Sequence, residues 1–144
     1  MAPIVWRTIF PSEIQNSLVT STNRHGTRSI LDLELAGTIA HKHVVLTQVA
    51  PDVGERPIWL AGDYRASLSW ATKGSSTASS ARAYLLRLNA LHQRHFRYVP
   101  QHDFIAGSAT NVMADDASCR WDLSDQDLLT HFNSIYPQVT SWML

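Results

Sequence analysis

Pro57-Ile58-Trp59-Leu60-Ala61-Gly62-Asp63 is a short, nearly continuous apolar run closed by an acid. A run of this length predicts a strand buried on both faces, and the polar residue after it marks the strand's carboxyl end. Downstream, Gly74–Ser80 is rich in Ser and Thr and predicts a loop. Ala81–Phe96 then predicts a helix, with Ala81, Leu85, Leu88, Leu91 and His95 on one stripe and Arg87, Arg94 and Arg97 toward another face. Arg97–Ile105 predicts a strand that Pro100 confines to an edge or a bulge. Gly107–Asn111 turns the chain, Met113 onward is helical, and Ser124 with Asp127 caps an amphipathic piece carrying Leu128, Leu129 and Phe132.

Upstream, Pro51–Pro57 is a turn segment. Before it, Ser29 followed by Asp32 is a helix-start signal, and Leu33, Gly37, Ala40 and Val44 form an apolar stripe. Thr20–Thr27 reads as a loop, Ser12 with Gln15 as a capping box for a helix through Val19, and Ile4–Phe10 as a strand stopped by Pro11. Strands alternate with helices, which predicts an α/β fold with partly parallel strands.

The chain has 144 residues, 44% of them hydrophobic, enough for one domain with a buried core. The expected organisation is a single domain over 1–144, with a core of about 4–123 and an amphipathic tail of about 124–144. The sequence has no uninterrupted run of about 18 apolar residues, so a membrane-spanning helix is not expected. The start lacks a basic segment followed by an apolar one, so a signal peptide is not expected, and one cysteine, Cys119, forms no internal disulfide. An intracellular, non-secreted protein is the resulting expectation.

Net charge is zero, but its distribution is uneven. Residues 1–55 carry four bases and five acids, 56–97 carry seven bases and one acid, and 98–144 carry one base and six acids. The basic middle suggests contact with a polyanion, through Arg65, Lys73, Arg87, Arg94 and Arg97; the plainer alternative is a solvated helix face followed by an exposed acidic tail.

Three acids fall where an open α/β sheet presents side chains at one end. Glu34 lies in the first turns of a helix, Asp63 ends a strand, and Asp115, beside Asp116, opens the helix after the last strand. Carboxylates without His or Cys are hard-oxygen donors that suit Mg²⁺ or Mn²⁺, and two such ions would serve phosphodiester hydrolysis. A capping role for Asp115 or Asp116 and a solvated Glu34 is the plainer alternative. His92, His95 and His102 lack the fourth ligand of a zinc site, and nothing in the sequence places a base beside Cys119.

Several blocks carry a resemblance. They are Asp32-Leu33-Glu34-Leu35-Ala36-Gly37, Gly62-Asp63-Tyr64-Arg65-Ala66-Ser67-Leu68-Ser69-Trp70, His102-Asp103-Phe104-Ile105-Ala106-Gly107, and Asn111-Val112-Met113-Ala114-Asp115-Asp116-Ala117-Ser118. Together they resemble the ribonuclease H domain of retroelement polyproteins. Arg82–Leu88 and Leu128–Phe132 extend the likeness to the reverse-transcriptase-linked segments of tyrosine-recombinase (DIRS-type) retroelements.

The resemblance implies a mixed sheet flanked by helices and cleavage of the RNA strand in RNA–DNA hybrids. It implies catalytic and metal-holding roles for Glu34, Asp63 and Asp115, with Asp116 beside them, two Mg²⁺ or Mn²⁺ ions, and a reverse transcriptase region as partner. The family's first strand carries an Asp, whereas no Asp precedes Asp32 here, so the chain reads as a copy lacking its first strand. Tyr64 stands where Asn is common, Cys119 where Arg is usual, and Gly107–Asn111 is one residue longer than the family spacing. The alternative to an active nuclease is an inactive copy that binds nucleic acid or serves as a structural module.

Overall fold

The computed structural model describes residues 2–49, 55, 57–73, 80–106 and 111–144. The loop expected at Gly74–Ser80, most of the Pro51–Pro57 turn and most of the Gly107–Asn111 turn lie outside the described residues. The fold is a small mixed α/β arrangement with a two-stranded parallel sheet and flanking helices. The chain divides into two compact units, one of residues 10–105 and one of 1–9 with 106–144.

The larger unit opens with α1 (Ser12–Asn16). Ser12 starts this helix rather than capping it: Pro11 is the N-cap, no side chain caps it, and Gln15 donates to the Phe10 carbonyl. The expected continuation to Val19 is absent, because Leu18 and Val19 turn to pair with Arg28. Gly26 lets that loop close, since a Cβ there would lie 2.5 Å from the Leu18 carbonyl carbon.

Helix α2 (Ile30–Val44) has a complete capping box, in which the Ser29 hydroxyl accepts from the Asp32 amide and the Asp32 carboxylate accepts from the Ser29 amide. It runs on into a π-helical stretch, Val45–Val49. Its buried residues are Asp32, Leu35, Ile39 and Lys42, so the inward face is rotated from the expected Leu33–Gly37–Ala40–Val44 stripe. Leu35 and Ile39 pack with Ala71 of α3 (Arg65–Lys73) and Leu86 of α4 (Ser80–Phe96). At one end of the α2–α4 seam Arg82 pairs with Asp32 at 3.0 Å and lies on the Trp70 ring. At the other, the Lys42 ammonium donates to Asn89 Oδ1 at 2.9 Å. These polar pairs point Leu88 and Leu91 of α4 outward, against the expected stripe.

Strands β1 (Pro57–Gly62) and β2 (Val99–Phe104) are parallel, with Ile58 opposite Pro100 and Leu60 opposite His102. Ile58 and Leu60 pack on Leu46 and Tyr98. The opposite face, Pro57, Trp59 and Ala61 with Val99, Gln101 and Asp103, is exposed. The expected burial of β1 on both faces is therefore corrected to one face, and Trp59, expected in the core, is 68% exposed. Pro100, which has no amide proton, sits in a strand with one free edge, as expected.

In the smaller unit the expected strand Ile4–Phe10 does not form. Ile4 makes an isolated bridge to Met143, and Val5 joins a core of Ala117, Leu128 and Phe132. Arg7 pins the segment through bonds to the carbonyls of Arg120 and Leu123 and an ion pair with Asp125. Helices α5 (Val112–Cys119) and α6 (Asp125–Ile135) complete this unit. Ser124 caps α6 by accepting from the Asp127 amide, as the sequence predicts.

Candidate functional site

Glu34 lies in the second turn of α2, and Asp63 lies between the carboxyl end of β1 and α3. Both are half-buried. Burial, and secondarily the charge of Asp63, raise the Glu34 carboxyl above its ordinary range. The two carboxylates thus repel each other within one unit. Among the described residues neither takes part in an ion pair. Two hard-oxygen donors that repel and have no counter-charge are chemically suited to a divalent cation.

Asp115 and Asp116 belong to the smaller unit. Asp115 stands in the first turn of α5. Asp116 accepts from His131 and, at 3.2 Å, from the Tyr136 hydroxyl, so its carboxylate ties α5 to α6. Among the described residues no three His, Cys, Asp or Glu side chains form a group that could hold a metal ion.

The basic residues have different settings. Arg65, in the first turn of α3, lies on the Phe104 ring with its guanidinium carbon 3.9 Å from the centroid. That places it at the same end of the sheet as Asp63. Lys73 is exposed at the end of α3. Arg87 and Arg94 are exposed on α4. Arg97 lies past the helix end, with φ of 53°, and pairs with Glu55, so it is not on the α4 face with the other two.

A second cluster of titratable groups escaped the reading of the sequence. Lys42 is 0% exposed, and burial pushes its ammonium down to about 8. His102 is pushed down to about 4 by burial and then by the charge of Lys42. Its Nδ1 lies 3.0 Å from the Thr72 hydroxyl, while its Nε2 is buried with no partner among the described residues. His92 Nδ1 meets the Tyr98 hydroxyl at 3.1 Å, and its Nε2 is also an orphan. No carboxylate pairs with Lys42 among the described residues. The signal was present: Leu35, Ile39, Lys42 and Leu46 recur at four, three and four, which places the lysine in line with the core.

No protein-family model, no curated protein and no solved structure matches this chain. Among the described residues no helix is long and apolar enough to cross a membrane.

Proposed function

We propose that the chain is a ribonuclease-H-like domain of a retroelement replication protein, in which Glu34 and Asp63 hold a divalent cation against the backbone of an RNA–DNA hybrid. The observation that supports this reading is the repulsion between Glu34 and Asp63, the latter just past the carboxyl end of β1, with neither in an ion pair among the described residues. Parallel strands joined through helices, with an acid at the strand's end, are the setting in which open α/β sheets bind ligands.

Bound Mg²⁺ or Mn²⁺ would polarise the phosphate and activate a water for attack. The chain's own residues have distinct tasks. Glu34 and Asp63 would supply the oxygen ligands, and a bound cation would offset the burial and the Asp63 charge that raise the Glu34 carboxyl. Arg65, held over the Phe104 ring, and Lys73 on the same helix approach the phosphates, where cations track the backbone without reading sequence. The family resemblance also implies a metal-holding role for Asp115 and a reverse transcriptase region of a parent polyprotein as partner.

A second reading is an inactive hybrid-binding module. Two observations favour it: the sheet described has two strands, and no group of three metal-capable side chains occurs among the described residues. A labelled RNA–DNA duplex separates the two. Weak Mg²⁺-dependent cleavage of the RNA strand, lost in Asp63→Asn and Glu34→Gln, is the expected result. Cation-independent hybrid binding without cleavage would establish the module reading. Neither binding nor cleavage would overturn both.

A further inference from the structure

Helix α4 has a second face that the packing of the larger unit leaves unused. Tyr84, Leu88 and Leu91 are 67%, 40% and 55% exposed, and His95 is exposed beyond them. Their spacing of four, three and four is that of alternating d and a positions in a heptad repeat. Arg87 and Arg94 then both occupy g positions, one heptad apart. The sequence of α4 contains no acid, and neither arginine makes an ion pair among the described residues.

Beside Tyr84 the seam opens into a cleft of about 510 Å³ walled by Phe10, Ile14, Leu33 and Leu85, with Arg28 at its lining. That volume lies within the range that accepts a bulky side chain or small ligand. Asp32, the acid in the cleft wall, is already neutralised by Arg82. The Arg28 guanidinium has no ion pair among the described residues.

We propose that this face of α4, with the cleft beside Tyr84, is a docking surface for an acidic amphipathic helix of another protein. Apolar a and d side chains of that helix lie along Tyr84, Leu88 and Leu91, one bulky anchor enters the cleft, and carboxylates at its flank meet Arg87 and Arg94. Charge decides the occupant. A second copy of α4 laid antiparallel sets g against g, arginine against arginine. Laid parallel, it sets Arg87 against His92 and leaves Arg94 beyond the last e position of the helix. Neither arrangement supplies an acid. A nucleic acid would satisfy the two arginines while leaving three large apolar side chains in water. The inference stands apart from the carboxylate pair and does not depend on nuclease activity.

The test uses the full chain and two synthetic helical peptides of about three heptads, alike in Leu at a and d but carrying Glu or Lys at e and g. Fluorescence anisotropy is expected to show binding of the Glu peptide and roughly tenfold weaker binding of the Lys peptide. Leu88→Asp is expected to abolish binding while the circular dichroism spectrum is kept. Arg87→Glu with Arg94→Glu is expected to reverse the peptide preference, a change that misfolding cannot mimic. Equal affinity for both peptides, or a preference unmoved by the charge swap, overturns the proposal. So does concentration-dependent self-association through Leu88. Loss of RNA–DNA hybrid binding on the charge swap, with no peptide effect, assigns the face to nucleic acid and overturns it as well.

Discussion

Among the described residues Lys42 is a charge without an opposing charge. Its ammonium is fully buried, donates to Asn89, and has His92, His102 and Tyr98 around it. Its value of about 8 lies below the ordinary 10.5, so at pH 7 it is protonated in folded and unfolded chains alike and the burial cost is fully present. Between pH 8 and 10 the unfolded chain keeps the proton that the folded chain gives up, and stability rises. The whole effect is on the order of 3 kcal/mol. Above pH 10 the rise reverses, because Tyr98, pushed up to about 12 by burial, holds its proton longer in the folded chain. On the acid side His102, at about 4, resists protonation when folded, so stability falls as pH drops from 6.5 toward 4. Lys42→Met is expected to stabilise the protein at pH 7 by about 1–3 kcal/mol and to flatten the rise between pH 8 and 10. Urea unfolding at pH 7 and 9.5 checks this. A destabilised variant that keeps the alkaline rise would contradict it.

Helices α2 and α4 mark the limit of what hydrophobic spacing conveys. Their existence was legible, and so was the Ser29–Asp32 capping box, because such signals are local. Their inward faces were not. Periodicity counts apolar side chains, whereas this seam contains Asp32 with Arg82 and Lys42 with Asn89, which read as surface residues. The same blindness hid the exposed Tyr84–Leu88–Leu91 face. The ends of β1 were legible from Pro57 and Gly62, but the exposure of Trp59 depends on what covers the sheet, which no single strand encodes. Helix α3 gave no independent sign, being short and rich in Ser, Thr and Ala.

The end of α4 offers a test of the backbone. Arg97 holds a left-handed φ of 53° while its amide donates to the Gln93 carbonyl at 2.8 Å, the place where a helix ordinarily ends in glycine. Arg97→Gly is expected to stabilise the protein by about 0.5–1 kcal/mol, partly offset by loss of the exposed pair with Glu55. Thermal unfolding reads this, and a loss of more than about 1 kcal/mol would contradict the account of the cap.

At the scale of the whole molecule, the alternation of strands and helices was legible as α/β, and the parallel pairing of β1 with β2 agrees. The strand expected at Ile4–Phe10 was not recoverable. β-branched composition favours a strand only where a partner exists, and here Arg7 anchors the segment to the turn before α6 instead. Of the candidate carboxylates, Glu34 and Asp63 lie in one unit and repel each other, while Asp116 is engaged by His131 and Tyr136 in the other. The functional account therefore rests first on Glu34 and Asp63.

The direct measurement is the titration of the Glu34 side-chain carboxyl by carbon-13 NMR, with and without Mg²⁺, in the parent and in Asp63→Asn. The account predicts a Glu34 value above the ordinary carboxyl range in the metal-free parent, lowered by Mg²⁺. In Asp63→Asn it predicts a partly lowered starting value and a much weaker response to Mg²⁺. A Glu34 carboxyl that titrates in its ordinary range, moved neither by Mg²⁺ nor by removal of the Asp63 charge, would contradict it.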